Sequence, residues 1–420
     1  MSGRPALPPG PFLVVGLKRS GLAAARMLAA HGEVIGLDSS PLVLDPEPEF
    51  DAHTGADGVS LLERVNTVVK SPGVPWAVPV IEAAVQRGIE VTGELELAWR
   101  LLPENRFVAV TGTNGKTTTV ELLGAIWRAA GLPAEVVGNV GRPVADLVGA
   151  VDPSATIICE ASSFQLEDSS AFAPDCAVLL NLEDDHLDRH GTARAYAEAK
   201  ARIFANQTSD QVAVVPADLL ELVGGHARTV ILDAAGVPAA AGEVRLRGAH
   251  NLENAAAAAA AAAAMGIGSD AIATALRTFA GVPNRLEEVA RVGDVLFVND
   301  SKATNPASAV KGIEAFDGGV HVILGGSLKG GDFLALREAV ASRCRAAYLI
   351  GEAEEGLAAD LEGTAHLRRS HTLEQAVAEA SEAARPGEVV LLSPACASFD
   401  SFDDYEHRGR RFRELVPAPE

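Results

Sequence analysis

The stretch RFVAVTGTNGKTTTVELLGAIWRAAG, residues 106–131, decides the fold class of this chain. A short apolar run is followed by a glycine-containing turn and then by a long segment of helix-forming residues. This pattern is typical of a strand that leads into a helix. Glycines in such a turn allow backbone N–H groups to point into one concavity, and the N-terminus of the helix favours negative charge. We therefore predict a phosphate-binding loop, with Gly112 and Gly115 in its turn.

Two side chains of this loop have predicted roles. Lys116 would contact the β- and γ-phosphates of a nucleotide, and the hydroxyl group of Thr117 would bind Mg²⁺. The strict phosphate-loop pattern is not met, because Val110 occupies the position of its first glycine. The alternative is a glycine-rich turn between a strand and a helix, with an exposed lysine.

The same alternation of short apolar runs and longer Ala/Leu-rich segments extends over the whole chain. It predicts an α/β fold with parallel sheets and helices on both faces, divided into domains at residues 1–103, 104–282 and 283–420. The predicted strands are FLVVG, EVIGLD and NTVVKSPG in the first domain, RFVAVTG, ATIICE, CAVLLNL and QVAVVP in the second, and VLFVND, HVILGG, AAYLIG and EVVLLSP in the third.

Composition excludes several classes of protein. The 420 residues include 35 Lys and Arg against 56 Asp and Glu, which gives a formal net charge of −21. A protein that binds nucleic acid with its whole surface would have a basic excess instead. Four cysteines without a C-x-x-C pair argue against a disulfide framework or a zinc site. Without a signal peptide, a membrane-length apolar run or a coiled-coil pattern, we expect a cytoplasmic monomer that binds neither nucleic acid nor membranes.

The phosphate loop is one of several motifs along the chain. The others are EASSFQLE (160–167), DDHLD (184–188), AEAKARIF (197–204), HNLENA (250–255), NDSKATN (299–305) and SPACASFDSFDDYEHRGRRF (393–412). Together they resemble the motifs of the Mur ligase family, the ATP-dependent amide ligases of peptidoglycan precursor synthesis. Folylpolyglutamate synthase and cyanophycin synthetase share this superfamily. The last two motifs and VKSPGVP (69–75) are similar to those of the member that adds D-glutamate to UDP-N-acetylmuramoyl-L-alanine.

The resemblance implies an architecture and a reaction. A Rossmann-like N-terminal domain would bind the UDP-linked substrate, a central phosphate-loop domain with a parallel sheet would bind ATP, and a Rossmann-like C-terminal domain would bind glutamate. The γ-phosphoryl group of ATP would activate a carboxylate as an acyl phosphate, which an amine then attacks. Such a site is crowded with anions and needs Mg²⁺, lysines and amides more than a protein nucleophile. We expect the third domain to close on ATP.

The resemblance implies two Mg²⁺ sites. Glu160 ends the apolar strand ATIICE, where a carboxylate near a phosphate loop is a candidate Mg²⁺ ligand; the alternative is a helix N-cap. The resemblance assigns the first ion to Thr117 and Glu160, and the second to His186 and to Lys200 carbamylated by CO₂. Without the resemblance, His186 would be a solvated loop histidine and Lys200 an exposed lysine. A buried lysine with a lowered pKa is the kind that reacts with CO₂.

The resemblance also implies contacts with each substrate. The catalytic residues would be Lys116, Glu160, His186, Lys200 and Lys302, the last meeting the transferred phosphoryl group. ATP would be bound by Gly112, Thr113, Asn114, Gly115, Lys116, Thr117, Thr118, Asn251, Asn254, Arg285 and Asp300. The UDP-linked substrate would be bound by Arg19, Ser20, Asp38, Ser39, Ser71, Gly73, Asn139 and His186, and glutamate by Thr304, Lys329, Ser398 and Tyr405.

Three of these residues have simpler explanations. Asn251 would cap the alanine-rich helix that follows it, Asp38 would form a turn, and Lys329 would be a solvated loop lysine. The turn GLKRSG (16–21) offers backbone amides at a helix N-terminus but lacks the second glycine of the dinucleotide-binding motif.

Two other functions remain open. The chain departs from the family pattern at Asn284, at Tyr405 and in the SLKGG loop around Lys329, and the loop bears on the choice of amino acid. The first alternative is therefore a sister ligase that uses L-glutamate or another amino acid. The second is a non-catalytic relative that binds ATP.

Overall fold

The structure is a computed structural model, and it describes residues 3–183, 185–232, 249–328 and 333–417. The chain divides into two compact units, the first formed by Met1–Gly242 with Glu253–Arg277 and the second by Glu243–Leu252 with Thr278–Glu420. Two residues singled out in the sequence, Lys329 and the first aspartate of DDHLD, Asp184, lie outside the described residues.

The first unit begins with a five-stranded parallel sheet in the order β3-β2-β1-β4-β5. Its strands are β1 (Phe12–Val15), β2 (Val34–Asp38), β3 (Asp51–Thr54), β4 (Thr67–Lys70) and β5 (Glu90–Gly93). Three helices accompany it, α1 (Arg19–Ala29), α2 (Pro79–Gln86) and α3 (Glu94–Leu101). Every residue of β1 is buried, which agrees with its place in the middle of the sheet.

The first unit also contains a six-stranded parallel sheet in the order β11-β10-β9-β6-β8-β7. Its strands are β6 (Phe107–Thr111), β7 (Ala134–Gly138), β8 (Thr156–Glu160), β9 (Cys176–Leu179), β10 (Val212–Pro216) and β11 (Arg228–Leu232). The helices are α4 (Lys116–Ala129), α5 (Ser163–Glu167), α6 (Leu187–His190), α7 (Ala193–Ala201), α8 (Ala249–Ala264) and α9 (Ser269–Thr278). The first four residues of α8 and the last residue of α9 belong to the second unit. One apolar core joins the two sheets, since Val14 and Val69 lie in the same buried cluster as Phe107 and Leu179.

The second unit is built around a six-stranded sheet in the order β12-β13-β17-β14-β15-β16. Its strands are β12 (Glu287–Val292), β13 (Val295–Asn299), β14 (Val320–Gly325), β15 (Cys344–Ile350), β16 (His366–His371) and β17 (Val389–Leu392). Its helices are α10 (Pro306–Glu314), α11 (Arg337–Arg343), α12 (Glu354–Asp360), α13 (Leu373–Ala383) and α14 (Tyr405–Leu415). The pair β12 and β13 is antiparallel, which the prediction of parallel sheets did not include.

The α/β prediction is confirmed, and the strands that the sequence did not reveal are all at the edges of their sheets. All eleven predicted strands are present, and all lie in the interior of the three sheets. The six strands missed within the described residues are the edge strands, β3, β5, β7, β11, β12 and β16. Edge strands are paired on one side only and expose many residues, so they lack the continuous apolar run that marks a central strand. The domain boundaries at residues 103 and 282 stay a prediction.

Candidate active site

The predicted phosphate loop lies between β6 and α4. Gly115 is the N-cap of α4 and has a left-handed backbone with φ 84°. A Cβ atom at this position would lie 2.0 Å from Oδ1 of Asn254, which is buried in α8. Only glycine therefore fits between the loop and Asn254. The start of α4 directs backbone N–H groups toward the loop, which is the arrangement that binds anions.

Two lysine side chains meet at one carbonyl oxygen of this loop. Lys116 Nζ donates to the carbonyl oxygens of Gly112 and Thr113, each at 2.8 Å. Lys200 Nζ, from α7, donates to the Gly112 oxygen at 2.8 Å. Lys200 is buried, which shows that the alternative of an exposed lysine is wrong. Burial, reinforced by the charge of Lys116, lowers the pKa of Lys200 to about 7.

The carboxylate of Glu160 lies at the carboxyl end of β8, next to the first turn of α4. Its Oε2 accepts a hydrogen bond from Thr117 Oγ1 at 2.8 Å, and its Oε1 accepts one from Asn139 Nδ2 at 3.0 Å. The structure thus brings the two predicted ligands of the first metal ion together. Their hydroxyl and carboxylate oxygens are the donor type that Mg²⁺ prefers.

The alternative explanation of Glu160 as a helix N-cap is wrong. The N-cap of α5 is Ser162, whose Oγ accepts a hydrogen bond from the backbone N–H of Gln165. The side chain of Gln165 accepts in return from the backbone N–H of Ser162, which completes a capping box. The carboxylate of Glu160 is therefore not used for capping and faces the phosphate loop.

His186 lies at the N-cap of the short helix α6, with a left-handed φ of 52°. Its ring centroid is 4.9 Å from that of Phe164 and 6.2 Å from that of Tyr196. The Tyr196 ring also lies under Lys200, with 4.6 Å between its centroid and Nζ. Tyr196 therefore connects the two residues predicted to bind the second ion. The sequence contained a signal for it, because Tyr196 precedes Lys200 by four residues, one turn of the same helix.

In the described residues, clustered His, Cys, Asp and Glu side chains do not by themselves reveal a metal site. The part of the chain that the structure describes has no group of three or more His, Cys, Asp and Glu side chains placed to hold one ion. The candidate donors near the phosphate loop are instead a hydroxyl group, a carboxylate, an imidazole and a lysine. A metal ion there would need oxygen atoms from the phosphates, or a change in the chemistry of the lysine, to complete its coordination.

Two of the residues predicted to bind the UDP-linked substrate, Asp38 and Ser71, lie at the carboxyl end of the first sheet. Asp38 ends β2, and its carboxylate accepts from the backbone N–H groups of Leu17 and Ser40 at 2.8 and 2.9 Å. Asp38 therefore does form a turn, as the alternative proposed, while also holding the turn after β1. Ser71 Oγ donates to the carbonyl oxygen of Gly16 at 2.7 Å. The Ser71 hydroxyl thus connects the segments that follow β4 and β1.

Four other residues predicted to bind this substrate are close in the chain to strands of that sheet, whereas Asn139 belongs to the second sheet. Arg19 and Ser20 are the first two residues of α1, and the Arg19 guanidinium donates to the carbonyl oxygen of Gly141. Ser39 is exposed just after β2. Asn139 follows β7 and contacts Glu160 rather than a residue of the first sheet. Gly73 lies in an exposed turn after β4.

In the second unit, Asp300 follows β13 and is buried. Its Oδ2 accepts from Ser393 Oγ at 2.8 Å, and its Oδ1 accepts from the backbone N–H of Leu286 at 3.3 Å. Burial raises the pKa of Asp300 to about 7, and the charge of nearby Arg285 opposes that shift. Arg285 is therefore close enough to Asp300 for its positive charge to favour the ionised carboxylate.

Lys302 and Tyr405 also lie together in the second unit. Lys302 Nζ donates to the hydroxyl oxygen of Tyr405 at 3.0 Å and lies 4.7 Å from its ring centroid. Thr304 is two residues further along the chain, and Ser398 is buried in the loop after β17. The predicted contact for the transferred phosphoryl group is thus adjacent to one predicted contact for glutamate.

The capping role of Asn251 is wrong. Helix α8 begins at Ala249, so Asn251 is its third residue rather than the residue before it. Asn251 and Asn254 are three residues apart on one helix, and both are buried. Side chains at this spacing lie on the same face of a helix.

Sequence reasoning missed Arg408, which organises the loops after β13 and β17. Arg408 is fully buried, and burial lowers its pKa to about 10. Its Nε donates to Ser301 Oγ at 3.0 Å, and its Nη2 donates to the carbonyl oxygens of Ser301 and Cys396 at 2.9 and 3.1 Å. An arginine in the stretch EHRGRRF has no sequence feature that distinguishes it from its exposed neighbours.

Three family models match the chain. They are described as Mur ligase MurD-like, N-terminal domain, at residues 11–93; Mur ligase middle domain, at residues 110–227; and Mur ligase, glutamate ligase domain, at residues 284–396. A protein of Acidobacterium capsulatum named UDP-N-acetylmuramoylalanine–D-glutamate ligase is 41% identical over 97% of this chain and 96% of its own length. The protein of that name from Pelotomaculum thermopropionicum is 43% identical over 96% of each chain. This chain belongs to the Mur ligase family.

Solved structures of this family share the fold. The UDP-N-acetylmuramate–alanine ligase of Thermotoga maritima matches with a TM-score of 0.57 and 17% identity over 96% of this chain and 98% of its own. The MurF ligase of the same organism, solved in complex with ADP, matches with a TM-score of 0.58 and 18% identity over 91% of this chain and 94% of its own. In the described residues, no helix has the length and apolar character needed to cross a membrane.

Proposed function

We propose that this protein is an ATP-dependent ligase that adds D-glutamate to UDP-N-acetylmuramoyl-L-alanine in the cytoplasmic synthesis of peptidoglycan precursors. The observation that carries this proposal is the 40–43% identity, over nearly the whole chain, to proteins named UDP-N-acetylmuramoylalanine–D-glutamate ligase. The lysine pair at the Gly112 carbonyl, close to the Thr117–Glu160 pair, supports it, because phosphoryl transfer depends on such positioned charges.

The reaction has two chemical steps. The carboxylate of the L-alanyl group attacks the γ-phosphorus of ATP, the bond from that phosphorus to the bridging oxygen breaks, and ADP leaves. The amino group of D-glutamate then attacks the carbonyl carbon of the acyl phosphate. The resulting tetrahedral intermediate expels phosphate, and the nitrogen loses a proton as the amide forms. Negative charge develops in both steps, so preorganised cations and N–H donors are the main catalytic requirement.

The phosphate loop would bind the triphosphate of ATP. Residues 112–118, which are Gly112, Thr113, Asn114, Gly115, Lys116, Thr117 and Thr118, supply backbone N–H groups, hydroxyl groups and one cation. The ammonium group of Lys116 is held beside the loop by two carbonyl oxygens. A phosphate in the loop would give this cation an anionic partner, which binds it more strongly than a neutral carbonyl does.

Two Mg²⁺ ions would complete the site. Thr117 and Glu160 would hold the first, and His186 with a carbamate on Lys200 would hold the second. When bound, Mg²⁺ neutralises the charge that develops on the phosphates. Lys200 supports the carbamate because an amine with a pKa of about 7 is about half neutral at neutral pH, whereas an ordinary lysine is almost fully protonated, and only the neutral amine adds to CO₂. The carbamate would also convert a cation beside Lys116 into an anion.

The UDP-linked substrate would bind at the carboxyl end of the first sheet. The predicted contacts near this edge are Arg19, Ser20, Asp38, Ser39, Ser71 and Gly73. Asn139, which follows β7, and His186, which precedes α6, would contact the same substrate from elsewhere in the first unit. The carboxyl ends of parallel strands are where ligands bind in open α/β sheets. The hydrogen bonds of Asp38 and Ser71 support this location, because they fix the turns that would face the ligand.

The remaining contacts would come from α8 and the second unit. Asn251, Asn254, Arg285 and Asp300 would bind ATP, with Lys302 at the transferred phosphoryl group, and Thr304, Lys329, Ser398 and Tyr405 would bind glutamate. We propose three domains, at residues 1–103, 104–282 and 283–420, and a monomeric enzyme. Because the ATP contacts come from more than one domain, we expect X-ray scattering to detect compaction with an ATP analogue and the UDP-linked substrate. Unchanged scattering would contradict domain closure.

The decisive experiment is the release of ADP from ATP with Mg²⁺ and UDP-N-acetylmuramoyl-L-alanine. Three reactions are compared, with D-glutamate, with L-glutamate and without an amino acid. Turnover with D-glutamate alone is the expected result. Turnover with L-glutamate alone would support the acyl-phosphate reaction but would make the protein a sister ligase. The predicted glutamate contacts would then be wrong. No turnover in folded protein would contradict the proposal and favour a non-catalytic relative.

A further inference from the structure

One arginine holds three consecutive carbonyl oxygens of the turn that follows β4. Arg189 Nη2 donates to the oxygen of Val74 at 2.6 Å and to that of Pro72 at 3.2 Å. Arg189 Nη1 donates to the oxygen of Gly73 at 3.4 Å. The planar guanidinium group, with its fixed fork of donors, can satisfy several acceptors at once, which a lysine cannot do in the same geometry.

Helix α5 fixes the guanidinium group in this place. The guanidinium carbon of Arg189 lies 4.7 Å from the centroid of the Phe164 ring, and Nη2 is 3.4 Å from Oε1 of Glu167. The Arg189 side chain is only 18% exposed. Glu167 compensates the positive charge of Arg189, so the contribution of this arginine to the turn is orientation rather than long-range attraction.

A second buried cation supports the same turn from the strand that precedes it. Lys70 Nζ donates to the carbonyl oxygen of Val74 at 3.0 Å and lies 2.8 Å from Oδ2 of Asp168. Both of these side chains are completely buried. Two cations therefore attach the turn to the end of α5, where each is paired with a carboxylate, Lys70 with Asp168 and Arg189 with Glu167.

The direction of the Pro72 carbonyl group determines the direction of the N–H group of Gly73, because both belong to the same peptide. In a trans peptide the C=O and N–H bonds point to opposite sides. Because the Pro72 carbonyl points to Arg189, the N–H group of Gly73 points away from it. A Cβ atom at Gly73 would meet no atom within 4 Å, so the turn is open around the α-carbon of Gly73. The neighbouring N–H groups of Ser71 and Val74 are bound to the carbonyl oxygens of Val15 and Ser71.

We propose that Arg189 is a positioning residue for the UDP-linked substrate, because it holds the turn of residues 71–74 so that the N–H group of Gly73 faces the anionic part of that substrate. The proposal rests on the function proposed above. Arg189 itself touches no reacting atom. It acts through the backbone of the turn, and it belongs to α6, the helix that begins after His186.

The test compares Arg189→Gln and Arg189→Lys with the wild type. Both variants lose the three-carbonyl contact, and the second keeps the charge. We expect the KM for UDP-N-acetylmuramoyl-L-alanine to rise roughly 10- to 100-fold in both variants, with the KM for ATP within about twofold of the wild-type value. Calorimetry with the UDP-linked substrate alone measures its dissociation constant in the absence of turnover, and this constant should rise by a similar factor in both variants.

The matched control is Arg202→Gln. Arg202 also donates from its guanidinium group to a backbone carbonyl in the first unit, that of Ser169, but it does not contact the turn. We expect its KM values to match those of the wild type. Thermal unfolding of each variant separates a local effect from a loss of folding, and Arg189→Lys decides the question if Arg189→Gln does not fold.

Three outcomes distinguish the inference from the proposed function. A wild-type protein that releases no ADP with D-glutamate contradicts the proposed function itself. An active wild type with an unchanged KM and affinity in both variants would overturn only the role of Arg189. Wild-type behaviour of Arg189→Lys, with a defect in Arg189→Gln, would also overturn it, because charge rather than orientation would then be the cause.

Discussion

Lys116 and Lys200 donate hydrogen bonds to the same acceptor, the carbonyl oxygen of Gly112, and each Nζ lies 2.8 Å from that oxygen. One lysine comes from the helix that follows the phosphate loop and the other from α7, more than 80 residues away in the chain. Two ammonium groups at one neutral oxygen repel each other, so the site is arranged to receive negative charge. A phosphate group, a carbamate on Lys200, or both would supply it.

Replacement of Lys116 tests the phosphate loop. In Lys116→Ala, we expect ADP release at saturating substrate to fall roughly 10²- to 10³-fold, because one preorganised cation at the transferred group is lost. The melting temperature should stay close to that of the wild type, since the lysine donates to carbonyl oxygens of its own loop, Gly112 and Thr113. A variant that made product at the wild-type rate would contradict the assignment of this loop to ATP.

Replacement of Lys200 tests the carbamate. Lys200→Ala should lose activity, and short carboxylates such as formate or acetate should restore part of it, because they can take the place of the carbamate anion. In addition, the wild type in ¹³C-labelled bicarbonate should show a carbamate carbon signal that Lys200→Ala lacks. Full activity in Lys200→Ala without added carboxylate would remove this residue from the site.

Two glycines at opposite ends of α4 separate steric from backbone effects. Gly115 and Gly131 both have left-handed backbones, with φ of 84° and 69°, but only at Gly115 would a Cβ atom collide, at 2.0 Å from Asn254 Oδ1. Gly131→Ala should lower the free energy of unfolding by about 1 kcal/mol and leave the KM for ATP unchanged. Gly115→Ala should be less stable and should raise that KM strongly. Equal effects of the two substitutions would show that the contact with Asn254 is unimportant.

The buried carboxyl group of Glu94 predicts a pH dependence of stability. Burial raises the pKa of Glu94 from 4.5 to about 7, against the hydrogen bond that it accepts from the N–H of Ala145. Between these two values the folded protein holds a proton that the unfolded chain has lost. The free energy of unfolding of the wild type should therefore fall as the pH rises through this window, relative to Glu94→Gln.

Denaturant unfolding of the wild type and Glu94→Gln at several pH values measures this difference. As the pH rises to about 7, the free energy of unfolding of the wild type should decrease relative to that of the variant. Above this pH the difference should be constant, since Glu94 is then ionised in both the folded and the unfolded wild type. A difference that is independent of pH would show that the carboxyl group of Glu94 is ionised in the folded protein throughout this range.

The role of Arg408 can be compared with that of an exposed neighbour on the same helix. Arg408→Lys should lower the free energy of unfolding by at least about 2 kcal/mol, because buried acceptors on Ser301 and Cys396 lose their donors. Arg410→Lys, on the exposed face of α14, should have little effect. The measurement is chemical unfolding followed by circular dichroism, and equal stability of the two variants would contradict the role of Arg408.

The sequence by itself determined the centre of each sheet and the chemistry of the phosphate loop. Central strands are apolar because they are buried on both faces, and loop residues such as Gly115 and Lys116 follow from local backbone chemistry. The pairing of Thr117 with Glu160 was also foreseeable, since adjacent parallel strands bring their carboxyl ends to the same edge of a sheet.

Only the tertiary structure decided the edge strands, the burial of Lys200 and the contacts of Arg189 and Arg408. Each of these depends on which distant segment packs against the residue, and a side chain of the same type would be exposed in another fold. The pKa of Lys200, for example, follows from desolvation and from Lys116, neither of which is encoded in AEAKARIF. Local patterns report the neighbours of a residue in the chain, whereas burial and charge depend on its neighbours in space.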